Sequence, residues 1–300
     1  MSSERTVGAT GTIHDQGYQR YEGVRLPRSR RFLVITRNVL ATAWKARWGV
    51  KLPLLGAVLT LVVSAGIMIV MGQIESRMGG RGGRLLRADT VLFISYGFFS
   101  LFGIILAATV ATAAIADDLK SGSFQFYFSR PLRPDDYVRG KLLGLFVLIG
   151  CSTFAGPVVL SIIRVCLAED LGGAIKLLPI IPKAILLGVA GTSALVLPAI
   201  GLGALLGKRV AAQAAFIVYW IVISGFVSVV AHELRLPLVG LLALNSDVNV
   251  VGGYLFGMPS DSGSPEPWQA GLAIVVFSVA GYVALRRRIR SSATAGLGGV

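Results

Sequence analysis

The chain has 300 residues, of which 54% are hydrophobic and only 15% are charged. A soluble domain carries about 25% charged residues, so this composition excludes an ordinary soluble fold and indicates a membrane protein. The formal net charge of +14 does not indicate nucleic-acid binding, because the basic residues lie beside apolar runs and no soluble stretch is large enough to present a basic face.

The first 51 residues divide into two segments. Residues 1–29 contain few large apolar side chains, which predicts a disordered cytoplasmic tail. Residues 30–51 predict a basic amphipathic helix, and Trp44 and Trp48 suit the headgroup region of a membrane. Its apolar positions at helical spacing are Phe32, Ile35, Val39, Leu40 and Ala43. We expect this helix to lie on the membrane surface; a cytosolic extension of the first span is the alternative.

Six apolar runs without Asp, Glu, Lys or Arg follow, and each is near the length of about 20 residues that a helix needs to span a bilayer. The runs are 52–71, 91–116, 142–163, 184–206, 210–231 and 268–285. Pro198 is expected to interrupt the fourth run. The sequence therefore predicts an all-α integral membrane protein whose transmembrane domain covers residues 52–285.

The distribution of Lys and Arg predicts the orientation. Of these 29 residues, 21 fall in segments that share a side with both termini and 8 fall in segments on the other side. The positive-inside rule then places both termini in the cytoplasm, together with the loop 117–141 and the basic tail 286–300.

The apolar stretch 236–259 lies between the fifth and sixth runs and contains Pro, Asn, Asp and Gly. It predicts one or two short helices that dip into the outer leaflet and pack on protein, because irregular backbone cannot face lipid. A seventh span is the alternative, but it would place the C-terminal arginine cluster outside.

Catalytic motifs are weak. The segment GLGALLGKR at 201–209 has the wrong spacing for a P-loop, so we do not expect this chain to hydrolyse ATP. His232 and Glu233 are too few to form a metal site, and none is expected.

An intramembrane transferase remains an alternative for the acidic pairs Asp117–Asp118 and Asp135–Asp136. The residues of each pair are adjacent, however, and Pro134 before the second pair predicts the first turn of a helix.

The segment 115–141, IADDLKSGSFQFYFSRPLRPDDYVRGK, resembles the first cytoplasmic loop of ABC-2-type permeases, the membrane subunits of one class of bacterial ABC transporter. In that family an acidic residue and a Gly precede an apolar run, a Pro-centred basic turn, a short helix and a Gly-Lys pair. The six spans, the amphipathic helix before them and the broken stretch after the fifth span are also similar to this family.

The resemblance implies a permease subunit of an ATP-driven exporter in the inner, or plasma, membrane. It further implies a separate ABC ATPase subunit that carries ATP and Mg²⁺, a second permease copy or a paralogous permease, and contact with lipid; this chain itself would bind no cofactor. The residues implied in coupling to the ATPase are Asp117, Asp118, Gly122, Phe124, Phe126, Tyr127, Phe128, Arg130, Pro131 and Arg133.

Two alternatives remain open. The aromatic residues of the loop are of the kind that anchor protein interfaces, but aromatic residues also occupy membrane interfaces. A non-transport scaffold or assembly subunit of an envelope complex would also fit six uncharged spans. The lack of ionisable residues in the spans favours an external energy source and a neutral or apolar cargo over ions.

Overall fold

The computed structural model describes residues 30–45, 47–77, 88–122, 133–168, 170–258 and 263–297. All regular secondary structure in these ranges is helical. Five helical segments are long and apolar enough to cross a membrane, and one bent pair of helices provides a sixth. The prediction of an all-α membrane protein with about six spans is confirmed.

The N-terminal half contains one short helix and three spans. Its helices are α1, Phe32–Lys45; α2, Arg47–Arg77; α3, Ala88–Leu106; α4, Ala113–Lys120; α5, Pro134–Thr153; and α6, Ala155–Cys166. Span one is α2. Span two consists of α3 and α4, joined by a π-helical segment at Ala107–Ala111. Span three consists of α5 and α6, which meet at a bend of 45°.

The C-terminal half contains three further spans and three short helices. Its helices are α7, Leu171–Leu177; α8, Ile180–Leu206; α9, Arg209–Ile217; α10, Ser224–Glu233; α11, Pro237–Gly240; α12, Leu244–Leu255; and α13, Pro267–Leu297. Span four is α8 and span six is α13. Span five consists of α9 and α10, joined by a second π-helical segment at Val218–Ile223.

Span four is the centre of the bundle and contacts spans two, three, five and six. α8 runs through Pro198 without a break, so the interruption that the sequence suggests there is wrong. Membrane helices tolerate proline because neighbouring helices can compensate the freed backbone groups. Span six packs closely beside this proline: a Cβ atom on Gly201 would stand 2.7 Å from Cα of Gly281.

Large apolar side chains on the outer spans point away from the bundle. On span one, Val58, Leu59 and Val62 are more than half exposed, and on span five Ile221 and Phe226 are equally exposed. A soluble protein rarely exposes contiguous apolar patches of this extent, so these faces are suited to lipid or to another membrane subunit.

The stretch between spans five and six forms the two short helices α11 and α12, as its broken apolar pattern predicts. α12 has 12 residues, well below the about 20 that a span requires. It packs against spans four, five and six. The alternative of a seventh span in this stretch is therefore wrong.

Candidate functional site

The predicted coupling segment lies at one end of the bundle, and the structure describes its two flanks. The N-terminal flank is the end of α4, which closes at Gly122 with a left-handed backbone (φ of 64°). The C-terminal flank begins at Arg133, which is exposed and whose carbonyl oxygen accepts hydrogen bonds from the first turn of α5. The residues between them, including the predicted Phe124, Phe126, Tyr127, Phe128, Arg130 and Pro131, lie outside the described residues.

Asp118 forms the most enclosed ion pair of this end. Its carboxylate is 2.8 Å from the ammonium of Lys141, and the two side chains are only 17% and 8% exposed. The hydroxyl of Tyr137, which is fully buried, donates a hydrogen bond to the same carboxylate oxygen. Lys141 also donates to the carbonyl oxygen of Ala114, at 2.8 Å. The end of span two is thus tied to the start of span three through one buried charge network.

Asp117 faces the turn between spans four and five. Its carboxylate lies 3.5 Å from the guanidinium of Arg209, and both side chains are about half exposed. A solvent-exposed pair of this kind contributes little to stability, about 0–1 kcal/mol, but it places the two elements side by side. A cavity of about 180 Å³ opens beside the pair and is lined by α1, the end of span two, Lys141 and Arg209.

The second acidic pair lies at the start of α5. Pro134 occupies the first turn with Asp135 and Asp136, as the sequence predicts, and carboxylates there complement the helix dipole. Asp135 also contacts span six, with its carboxylate 3.4 Å from Arg286 and 3.7 Å from Arg290. This helix-start and ion-pair role agrees with the interpretation preferred over metal binding.

The π-helical segment of span two adds a contact to span five. Thr109 lies within it, and its carbonyl oxygen accepts a hydrogen bond from the side-chain amide of Gln213 at 3.4 Å. Thr109 and Val110 also line the cavity beside Asp117. π-Helical turns occur frequently at functional sites, and this one lies between the apolar part of the span and its charged end.

Helix α1 packs against the start of span three. A Cβ atom on Gly140 would stand 2.5 Å from Cβ of Ile35, and one on Gly144 would stand 2.8 Å from Cβ of Val39. The hydroxyl of Thr36 donates to the carbonyl oxygen of Gly140 at 3.1 Å. The apolar face of α1 is thus buried against protein, while its placement at the membrane surface remains a prediction.

Together these contacts tie both flanks of the 117–141 segment to α1 and to spans two, three, five and six. The sequence singled out Asp117, Asp118, Gly122 and Arg133, and the structure places the first three at the end of span two. The sequence interpretation did not identify Tyr137, Lys141, Arg209 or Arg286 as partners of these carboxylates. For the three cations, the available signal was a charge at the boundary of an apolar run.

The connection between spans five and six holds a buried acidic residue. Asp247 on α12 is completely buried, and neither carboxylate oxygen has a hydrogen-bond partner among the described residues. Burial without such a partner raises the pKa of this carboxyl to about 7. The hydroxyl of Tyr219, on the π-helical segment of span five, binds the carbonyl oxygen of Leu242 at 3.0 Å nearby. The sequence interpretation treated Asp247 only as a residue that breaks the apolar pattern.

Comparison with known protein families identifies the chain. Residues 11–245 match the family model described as ABC-2 family transporter protein. No curated protein matches the chain significantly. The match covers more than half of the sequence and confirms the resemblance drawn from residues 115–141. Members of this family are membrane transport components rather than ATPases, and membership implies association with an ABC ATPase subunit. The chain is therefore a multi-pass membrane protein and a permease subunit of an ABC transporter, and it belongs to the ABC-2 family of transporter proteins.

Proposed function

We propose that this permease is the membrane subunit of an exporter in the inner, or plasma, membrane and that the 117–141 segment receives the movement of a separate ATPase. ATP and Mg²⁺ bind to the ATPase subunit. Two copies of the chain, or one copy and a paralogous permease, form the translocation path for an apolar or neutral cargo.

The contacts at the basic end of the bundle carry this proposal. The segment is bounded on one side by Asp117 and Asp118 and on the other by Asp135, and each of these carboxylates binds a cation on a different element. A simple connector between two spans needs no such ties. A segment that transmits force needs links to several spans, because a displacement is otherwise absorbed by the loop itself. The enclosed pair of Asp118 and Lys141 is the firm link, and the two half-exposed pairs place the turn at Arg209 and span six beside it.

The basic residues at this end of the bundle indicate how the protein is oriented in the membrane. The ion pairs bring the start of span three, the turn at Arg209 and the arginines of span six to the end at which α1 packs. Sequence segments on the same side of the membrane as these elements contain 21 of the 29 Lys and Arg residues. We place this end in the cytoplasm under the positive-inside rule, where an ATPase subunit has access to it.

Co-purification tests the partner. The full chain is expressed with an affinity tag in its native host, solubilised gently, and the bound proteins are identified by mass spectrometry. We expect a subunit with a P-loop that binds ATP. Recovery of an intact complex without any nucleotide-binding subunit would instead support the scaffold or assembly role.

Coupling is tested in the reconstituted complex by Phe126→Ala and Arg130→Glu, which remove a candidate aromatic anchor and a candidate rim charge of the ATPase interface. We expect transport per ATP hydrolysed to fall, because the loss of an interface contact of about 1.4 kcal/mol weakens binding of the ATPase to the segment about tenfold. Phe98→Ala is the matched control, because Phe98 is 57% exposed in the apolar part of span two. Full coupled activity of both loop variants would overturn the coupling assignment.

The direction of transport is tested in inside-out vesicles that contain the complex. An exporter accumulates cargo inside such vesicles when ATP is added outside. A fluorescent apolar dye is a suitable first probe, because the six apolar runs lack charged residues. ATP-dependent loss of preloaded dye from these vesicles would indicate import instead.

A further inference from the structure

A long groove lies on the outside of the bundle between spans three, four and six. It has a volume of about 630 Å³ and is lined by residues that include Leu142, Phe146, Val189, Val279 and Tyr282. Apart from two serines and this tyrosine, every lining residue is apolar or glycine. Along span six the lining extends from Pro267 to Tyr282, or about 22 Å at the rise of an α-helix.

One mouth of the groove is basic. Arg139 precedes Leu142 by one helical turn on span three, and Arg286 follows Tyr282 by one turn on span six, so both lie on the groove side of their helices. Asp135 contacts Arg286 and Arg290 at this mouth. Arg139 is exposed and follows Asp135 by one helical turn on span three. This mouth thus has three arginines near Asp135, two of them paired with it, which leaves an excess of positive charge where the apolar lining ends.

We infer that this groove binds an anionic phospholipid from the leaflet at the basic end, with one acyl chain along the apolar lining and the phosphate between Arg139 and Arg286. The lining is more than half as long as the about 30 Å hydrocarbon core, so it can hold a chain from the headgroup region past the midplane. Tyr282 lines the groove one turn before Arg286, and amphipathic aromatic residues of this kind are enriched where lipid headgroups begin. Basic pockets between membrane helices bind anionic headgroups.

A second copy of this chain fits the groove less well. A two-fold interface around an axis normal to the membrane would place the same patch of both copies face to face. The basic mouths at Arg139 and Arg286 would then face each other, and their like charges would repel. An anionic lipid supplies an acyl chain for the apolar lining and a negative charge for the basic mouth.

Native mass spectrometry of the delipidated, full-length protein tests the inference, with phosphatidylglycerol and phosphatidylcholine titrated separately. We expect phosphatidylglycerol to bind more tightly. Arg139→Gln should weaken its binding about fivefold, equivalent to about 1 kcal/mol per charge, and leave phosphatidylcholine unchanged. Val279→Trp, at a groove position that is 53% exposed, should weaken both lipids about tenfold by filling the space of the chain.

Two matched variants control for general effects. Arg287→Gln removes the same charge from a residue adjacent to Arg286, and Val276→Trp places the same bulk at a position that is 56% exposed outside the groove lining. Each should change lipid binding less than twofold. Equal affinity for the two lipids, equal effects of test and control variants, or dissociation of a dimer by Val279→Trp would each overturn the lipid assignment. Chromatographic elution and melting temperature show that every variant is folded.

Discussion

Lys141 shows how one side chain fixes the geometry of the candidate coupling site. Its ammonium is nearly buried and has three partners: the carboxylate of Asp118, the carbonyl oxygen of Ala114 and the ring face of Tyr137, 5.6 Å from its centroid. A buried charge is tolerated only when it is paired and hydrogen-bonded, and this lysine satisfies both conditions. Because Ala114 and Asp118 lie on span two, the lysine holds span three in register with it.

Replacement of this lysine tests the network. Lys141→Met keeps the length of the side chain but leaves Asp118 without its cation, and loss of one partner of a buried ion pair costs about 3–5 kcal/mol. We expect the low end of this range because the Asp118 side chain retains 17% exposure. The apparent melting temperature of the purified protein in detergent should fall clearly. Arg209→Gln is the control at the half-exposed pair and should cost about 0–1 kcal/mol. Equal melting temperatures for both variants would contradict the network.

The raised pKa of Asp247 predicts that stability depends on pH in a defined direction. Its pKa is raised by burial from 3.8 to about 7 in the folded protein. Below about pH 4 both folded and unfolded chains are protonated here. Between about pH 4 and 7 only the unfolded chain loses the proton, so the free energy of unfolding decreases as pH rises, by up to about 1.4 kcal/mol per pH unit. Above about pH 7 the contribution is constant.

The expected result is a higher apparent melting temperature at pH 5 than at pH 7.5, and Asp247→Asn should reduce this difference. The amide keeps the size of the side chain but does not titrate. Asp135→Asn, at a partly exposed helix start, is a control that should not remove the slope. A slope that survives Asp247→Asn unchanged would assign the pH dependence to other groups.

At the scale of elements, the contact of α1 with span three depends on two glycines of span three, which have no side chain to keep α1 apart. Gly140 and Gly144 lie one turn apart and allow the backbone of α1 to approach closely at Ile35 and Val39. In membrane proteins, small residues at helix interfaces serve this purpose because burial of apolar area gives no advantage over contact with lipid. The position of α1 is therefore set by shape.

Gly140→Ala should move α1 away from span three. The added methyl group would stand 2.5 Å from Cβ of Ile35 and 2.6 Å from the carbonyl oxygen of Phe32, too close without a backbone shift. Overpacking of this kind costs about 1–3 kcal/mol. We expect a lower apparent melting temperature and weaker coupling of ATP hydrolysis to transport. Gly66→Ala on span one is the control, since its methyl group meets nothing within 4 Å. A Gly140→Ala variant as stable as this control would show that the contact is loose.

The elements were predictable from sequence wherever local chemistry decides them. Apolar runs of about 20 residues have no alternative to a membrane helix, and Pro134 followed by two carboxylates defines a helix start. The bend between Thr153 and Ala155 and the continuity of α8 through Pro198 depend on neighbouring helices, so the local sequence did not determine them. Likewise, Arg209 and Asp117 are 92 residues apart, and only the folded bundle shows that they meet.

At the scale of the whole molecule, the charges define two unlike ends. The basic end gathers α1, the two flanks of the 117–141 segment, the turn at Arg209 and the arginines of span six. The other end contains α7, α11 and α12, where Gly240 approaches Pro265. The proposed ATPase contact and the lipid mouth both fall on the basic end, and the ATPase contact requires that this end face the cytoplasm.

That orientation is tested by cysteine labelling in intact cells, starting from the Cys151→Ala/Cys166→Ala variant, which lacks both native thiols. Single cysteines replace Ser121 and Ser292 at the basic end and Ser264 at the other end. Because both termini are expected in the cytoplasm, a membrane-impermeant maleimide should label the variant Ser264→Cys in intact cells. It should label Ser121→Cys and Ser292→Cys only after the membrane is permeabilised.

Labelling of all three variants after permeabilisation controls for accessibility within the fold. If Ser121→Cys reacts in intact cells while Ser264→Cys does not, the basic end faces outward, and the 117–141 segment cannot meet a cytoplasmic ATPase.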